Sequence, residues 1–139
     1  MPHHQAALRA NPRSPVYRRF FRINRWRLTE ALLALGEHAA AAEAADEFLR
    51  AAMDSPQDEF TAACLLAGCT RLAEQDQRLP AERRREVAQG YADRAVASLR
   101  QAVAKGYKNL DPLKTHPDLE PLRSRPDFQA LVASLEKGR

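Results

Sequence analysis

Alanine-rich stretches with helical periodicity, each ended by glycine or proline, constrain the fold of this chain more than any other feature. The longest are EHAAAAEAADEFLRAAM at 37–53 and AERRREVAQGYADRAVASLRQAVAK at 81–105. Alanine is the best helix former, whereas glycine and proline interrupt helices. No stretch has the period-two alternation of a strand. The sequence therefore predicts an all-α fold.

Five helices separated by short breaks are predicted. The first begins at Ser14-Pro15, a capping residue followed by proline, and ends at Gly36, a typical C-terminal cap. The other four are predicted over 37–53, 58–75, 81–105 and from near Ser124 to Gly138. Helices joined by short connections indicate antiparallel hairpins stacked in order, as in a fragment of an α-solenoid.

The segment after Gly106 changes character. Prolines at 112, 117, 121 and 126 predict short turns, because each proline pushes the residue before it out of the helical region. Leucines at 110, 113, 119 and 122 predict that these turns pack on the hairpins. The last helix carries an apolar stripe and is expected to cap the stack.

Four segments follow from these boundaries. Residues 1–14 are predicted to be the end of a truncated preceding repeat or a flexible N-terminus. Residues 15–56 are the first helical hairpin, and residues 57–106 are a second hairpin with an insertion. Residues 107–139 are the turns and the capping helix.

Sequence motifs for catalysis are absent from the chain. No GxxxxGK[ST], HExxH, GxSxG or CxxC motif occurs, and no pair of carboxylates is predicted to act together with a histidine or nucleophile. Cys64 and Cys69 are predicted to be reduced packing residues, and His38 to be a packing or capping residue. The sequence predicts no enzyme, no catalytic residue, no metal site and no cofactor.

Positive charge is concentrated in the first quarter of the chain. Residues 1–35 hold seven arginines and one glutamate, a net charge of +6, whereas the remaining residues sum to −2. A binding surface that depends on charge is therefore expected near the N-terminus. The chain also has no apolar run long enough for a membrane span and no apolar secretion signal, so a cytoplasmic location is expected.

The first helix, in VYRRFFRINRWRLTEALLALG, divides into three stripes on a helical wheel. An apolar stripe is predicted to pack, and Phe20, Phe21 and Leu28 are expected to be buried on it. Arg18, Arg22 and Arg25 form a basic ridge. A mixed third stripe consists of Arg19, Ile23, Trp26, Glu30 and Leu33.

Several segments resemble tetratricopeptide repeats. YADRAVASLRQAV resembles the second helix of a repeat, with Ala95 and Ala102 at small positions and Leu99 at the large position between them. FTAACLLA resembles a first helix, and ALRANP resembles the end of an earlier repeat. Extra helical turns and an insertion before Ala95 depart from the consensus length. The resemblance implies that Ala95 and Ala102 are buried where paired helices approach closely.

The whole pattern is most similar to the tetratricopeptide-like helical tails of bacterial serine/threonine protein kinases. It rests on YRRFFRINRWRLTEALLALGEHAAAA, YADRAVASLRQAVAKGY and DLEPLRSRPDFQALV. No glycine-rich loop, HRD or DFG motif of a kinase domain is present. The resemblance implies a protein-binding groove lined by Arg19, Ile23 and Trp26 in one register, or by Ile23, Trp26 and Leu33 in another, with Arg22 at its edge.

These observations predict a noncatalytic protein-interaction module that binds an acidic peptide or a neighbouring domain through a basic, partly aromatic groove. A homodimer through the first long helix is a further expectation. One alternative is a nucleic-acid or phosphate-binding module that uses the same arginines. Another is a structural or self-associating spacer. For Trp26 itself, the alternative is burial against a preceding repeat.

Overall fold

The computed structural model describes residues 15–51 and 55–137, which form seven helices and no strand. The all-α prediction is therefore confirmed for this part of the chain. The proposed partial repeat in 1–14, with the cap at Ser14, lies outside the described residues. The α-helices are α1 (Pro15–Ala34), α2 (His38–Ala51), α3 (Pro56–Glu74), α4 (Ala81–Ala104), α5 (Leu110–Thr115) and α6 (Pro126–Lys137). A 3-10 helix (Pro117–Leu122) lies between α5 and α6.

Two glycines end α1 and α4 in the same way. Gly36 has φ +78° and Gly106 has φ +109°, in the left-handed region that residues other than glycine rarely adopt. After α1, the N–H of Glu37 donates to the carbonyl of Leu32 at 2.9 Å, and the N–H of Gly36 donates to that of Leu33 at 3.0 Å. These paired bonds satisfy the last carbonyls of the helix, so the cap predicted at Gly36 is confirmed.

The start of α3 lies two residues before its predicted start at 58. Ser55 is the capping residue, and its hydroxyl accepts a hydrogen bond from the N–H of Asp58 at 3.3 Å. Pro56 takes the first helical position, where the missing N–H has no intrahelical partner to lose. The serine-proline pair therefore extends the helix toward the N-terminus.

The core lies between α3 and α4, which make the most extensive helix–helix contact in the described chain. Small side chains let the two backbones approach closely: Ala63 and Ala67 on α3 and Ala95 and Ala102 on α4 are all fully buried. Leu99, 1% exposed, fills the space between the two alanines of α4. The burial predicted for Ala95 and Ala102 is therefore confirmed.

The C-terminal segment packs on this core as predicted. The short helices that the prolines allow bury all four leucines, with Leu113, Leu119 and Leu122 fully inaccessible. Tyr107 stacks on Phe60 of α3 with ring centroids 4.8 Å apart. The 3-10 helix contacts both α3 and α4, and α6 contacts α4 and α5. The tail thus covers the side of the α3–α4 hairpin that α2 leaves open.

The first four helices pack in chain order, and α1 reaches beyond its hairpin partner to α3. The contacts between α1 and α3 include a salt bridge from Arg22 to Asp58 and the packing of Leu33 on Gly68. The contact nearer the start of α1 is also nearer the start of α3, so α1 and α3 run in the same direction. This arrangement leaves the opposite side of α1 at the end of the stack formed by the described helices.

Candidate functional site

Arginines occupy much of the inward face of α1, and Leu32 and Leu33 pack on the core near its C-terminal end. Thr29 is the only residue of 16–34 that is fully buried, and Arg18, Arg22 and Arg25 are half-buried around it. The Thr29 hydroxyl donates to the carbonyl of Arg25, 2.7 Å away, so its polar group is satisfied inside the helix. The basic ridge therefore faces α2 and α3.

Carboxylates on the neighbouring helices account for this orientation. The Arg22 guanidinium donates to both carboxylate oxygens of Asp58 at 2.8 and 2.7 Å, and the Asp58 side chain is only 9% exposed. Arg25 Nε lies 3.9 Å from a carboxylate oxygen of Glu47 on α2. The Arg25 guanidinium carbon lies over the ring of Phe21, 4.8 Å from the ring centroid. An arginine stem packs like an apolar side chain when its head group is paired, so these arginines are good packing residues here.

The burial predicted for Phe20 and Leu28 is wrong. Phe20 is 54% exposed and Leu28 is 37% exposed, and Phe21 is half-buried beneath Arg25. The cause is the rotation of α1 about its axis, which directs the arginine ridge toward Asp58 and Glu47. Phe20 and Leu28 then face the open end of the stack.

All six exposed large apolar side chains of the described residues lie on α1 or directly after it. They are Val16, Phe20, Ile23, Trp26, Leu28 and Leu35. Scattered exposed apolar residues are ordinary on soluble proteins, but a concentration of this kind on one helix is typical of an interaction surface. We call the solvent side of α1 that carries them the outer face.

The five predicted site residues divide between the inward and outer faces of α1. Arg19, Ile23 and Trp26 are exposed, with Ile23 at 37% and Trp26 at 40%. Trp26 leans on Phe48 of α2, with ring centroids 6.4 Å apart, which holds its indole in place. Arg22 is paired with Asp58. Leu33 packs closely on Gly68 of α3. A Cβ atom at position 68 would lie only 3.3 Å from Leu33 Cδ1.

A buried polar cluster links α2, the loop after α3, and α4. His38 Nε2 lies 2.8 Å from a carboxylate oxygen of Asp76, and His38 Nδ1 lies 2.9 Å from the hydroxyl of Tyr91. Hydrogen bonds from Arg78 and His38 hold the pKa of Asp76 well below its usual range. Asp76 is therefore ionised, and its carboxylate accepts a hydrogen bond from His38 Nε2–H, while His38 Nδ1 lies within hydrogen-bond distance of the Tyr91 hydroxyl.

This aspartate–histidine–tyrosine order has the form of a general-base relay, but its burial favours a structural role. The side chains of His38 and Asp76 are 9% and 8% exposed, and Tyr91 is 9% exposed. Side chains covered to this extent offer little surface for contact with a substrate. The packing role predicted for His38 is confirmed, but its two partners are 38 and 53 residues away, so no local pattern could have identified them.

A basic cleft of about 390 Å³ lies between α3, α4 and the 3-10 helix. Three arginines line it, but two of them are already occupied. Arg84 donates to the carbonyls of Asp76 and Leu79, and Arg125 pairs with Asp93 and Asp127. The carboxylate of Glu74 also lines the cleft. The balance of charge does not favour an anion here.

The two cysteines are free thiols buried in the core. Burial raises the pKa of Cys64 and of Cys69 to about 12, so both are protonated at neutral pH and are poor nucleophiles. Across 15–51 and 55–137, no three histidine, cysteine or acidic side chains cluster as a metal site would require. No helix in those ranges is both long and apolar enough to cross a membrane.

Comparisons with known proteins add no identification. No family model, curated protein or solved structure matches the chain. The function must therefore be argued from the surface itself.

Proposed function

We propose that this chain is a noncatalytic protein-interaction module and that the outer face of α1 is its binding surface. The observation that carries the proposal is the concentration, on α1 or directly after it, of every large exposed apolar side chain in the described residues. Leaving apolar area in water is unfavourable by roughly 25 cal/mol per Å², so a partner that covers this helix gains stability from it.

The composition of the outer face indicates the chemistry of the partner. Trp26 offers a large, partly exposed aromatic surface, and tryptophan and arginine are enriched in interaction hot spots. Arg19 and Arg27 are exposed on the same face. A partner with an apolar centre and carboxylates at its edge fits this surface better than a purely acidic peptide, because Arg22 and Arg25 already have carboxylate neighbours.

The tetratricopeptide-like interpretation supports the same proposal. Two consecutive hairpins with fully buried alanines at close helix contacts fit such repeats, and α1 and α3 run in the same direction. In such an array the first helices of successive repeats line the ligand groove. A role as the helical tail of a bacterial protein kinase belongs to this proposal and would place the binding surface next to a separate catalytic domain.

A nucleic-acid module is the competing interpretation, and the charge distribution disfavours it. Two arginines of the basic ridge pair with Asp58 and Glu47, and Glu30 lies exposed on the outer face. Nucleic-acid binding through several arginines would make the logarithm of affinity fall steeply and linearly with the logarithm of salt concentration.

A variant of the outer face tests the proposal directly. Purified chain is used to capture proteins from extract of the source cell, in parallel with an Ile23→Asp/Trp26→Ala variant and an Ala130→Asp control. Ala130 is exposed on α6, far from α1 in sequence. We expect the control to capture the same proteins as the wild type and the double variant to lose them.

Equal capture by all three proteins would contradict the assignment of the surface to α1. A titration with single-stranded nucleic acid, followed through the fluorescence of Trp26, separates the alternatives, because Trp26 is the only tryptophan in the chain. Binding with a steep salt dependence would favour the nucleic-acid module.

A further inference from the structure

One stripe of the outer face carries opposite charges at its two ends. At 100° per residue, Arg19, Ile23, Trp26 and Glu30 fall within an arc of about 60° on α1. Reading along the helix, the stripe begins with a cation, continues through two apolar residues and ends with an anion. All four side chains are exposed.

Its two charged ends have no partner within the described chain. Neither Arg19 nor Glu30 makes an ion pair or a side-chain hydrogen bond to another described residue. They are separated by eleven residues, about 16 Å along the helix axis, so they cannot reach each other. The apolar centre between them is held in place, because Trp26 leans on Phe48.

We propose that the occupant of this stripe is a second copy of the chain, with the two α1 helices packed antiparallel about a two-fold axis between residues 24 and 25. The proposal rests on the proposed function, of which it names the partner. In this dimer Arg19 of each copy faces Glu30 of the other. Ile23 and Trp26 of both copies form the centre.

The order of charge selects the antiparallel arrangement. A two-fold axis makes contacts reciprocal, so each Arg19–Glu30 contact occurs twice. A parallel pairing in register would instead place Arg19 beside Arg19 and Glu30 beside Glu30, which is destabilising. The antiparallel dimer covers Ile23 and Trp26 and neutralises both ends of the stripe at once.

Charge exchange gives a test that only this geometry passes. The oligomeric state of the full chain is measured by sedimentation over a range of about 1 µM to about 1 mM, since an interface of one helix pair is small. Arg19→Glu places two like-charged pairs in the dimer, and so does Glu30→Arg. We expect each variant alone to raise the dissociation constant about tenfold or more.

An equimolar mixture of the two variants should recover the dimer. In the mixed dimer, the new glutamate at 19 faces the new arginine at 30, and the native Glu30 faces the native Arg19. Arg85→Glu and Glu82→Arg, on exposed positions of α4, are the matched controls and should leave the dissociation constant unchanged. The emission of Trp26 should shift to shorter wavelength as dimer forms.

Two results would overturn the proposal. One is a wild-type chain that stays monomeric across the whole range, with Trp26 emission independent of concentration. The other is a mixture that dimerises no better than either variant alone. Because both positions are exposed, circular dichroism should show intact helices in every variant, and Ile23→Asp gives an independent disruption of the centre. If either result is found, the dimer is ruled out. The proposed function still stands in that case if the chain captures another protein and this capture is lost when Ile23 and Trp26 are replaced.

Discussion

The two longest helices, α1 and α4, are both amphipathic, but they differ sharply in how much they bury. Eight residues of α4 are buried, whereas only Thr29 is buried among residues 16–34 of α1. All the large exposed apolar side chains of the described chain lie on or directly after α1, and none lies on α4. Two helices of similar length therefore differ in how much of their surface the rest of the chain covers.

The difference comes from their neighbours. Helix α4 packs on α3 along one side, and the 3-10 helix and α6 contact it from the tail. Helix α1 packs mainly on α2 and touches α3 at Arg22 and Leu33. The tail covers one end of the described helices, and the outer face of α1 lies at the other end.

Removing the tail should make the second hairpin as exposed as the first. Truncation after Gly106 deletes Leu113, Leu119 and Leu122, which are fully buried, and uncovers the apolar surface of α3 and α4 beneath them. We expect the fragment to lose cooperative thermal unfolding and to aggregate, which light scattering and calorimetry would detect. A soluble 1–106 fragment with the thermal midpoint of the full chain would contradict the role of the tail as a cap.

Replacing a leucine by alanine should lower the free energy of unfolding far more on α4 than directly after α1. Leu99 of α4 is 1% exposed, so Leu99→Ala should lower the free energy of unfolding by about 2–5 kcal/mol through lost burial and the cavity left behind. Leu35, after α1, is 74% exposed, and Leu35→Ala should change it by less than about 0.5 kcal/mol. Urea denaturation of both variants provides the measurement. Similar losses at the two sites would show that α1 is covered in solution.

Enlarging an alanine tests the same contrast in the opposite direction. Ala95 is fully buried between α3 and α4, so Ala95→Leu should destabilise the protein by about 1–3 kcal/mol through overpacking. Ala31 is exposed on α1, and Ala31→Leu should leave the thermal midpoint nearly unchanged. An unchanged midpoint for Ala95→Leu would count against the close helix contact.

A smaller effect is expected from the buried polar cluster beside α4. Arg78 and His38 lower the pKa of Asp76 below its ordinary 3.8. The ionised carboxylate therefore stabilises the fold above pH 3.8, and this contribution is lost as the pH falls below 3.8 through the folded-state pKa. The thermal midpoint of Asp76→Asn should lie below that of the wild type at neutral pH, and the two should converge in acid.

Glu43→Gln, which removes the same charge from an exposed position of α2, controls for net charge in this comparison. A midpoint difference for Asp76→Asn that stays constant from neutral pH into strong acid would remove the proposed role of the cluster.

Local signals were sufficient for the helices and for much of the core. Gly36 and Gly106 end helices because only glycine adopts their backbone angles without strain. The spacing of Ala95, Leu99 and Ala102 predicts one packed face, and the tail leucines predict their own burial. These features depend on residues a few positions apart, so the sequence itself carries them.

The orientation of α1 could not be obtained in this way. On the helical wheel its apolar stripe and its basic ridge compete for the interior, and hydrophobicity alone favours the apolar stripe. The ridge faces inward because Asp58 and Glu47, 36 and 22 residues from their arginines, offer carboxylates there. The same is true of His38, whose partners come from two other elements.

The amino-acid pattern alone therefore specifies an all-α chain with capped helices, an alanine-lined contact between helices and a leucine-rich tail. Which face of α1 stays exposed depends on tertiary packing. The physical reason is that helix formation depends on contacts within a few residues, whereas the rotation of a helix about its axis depends on charges and surfaces supplied by distant parts of the chain.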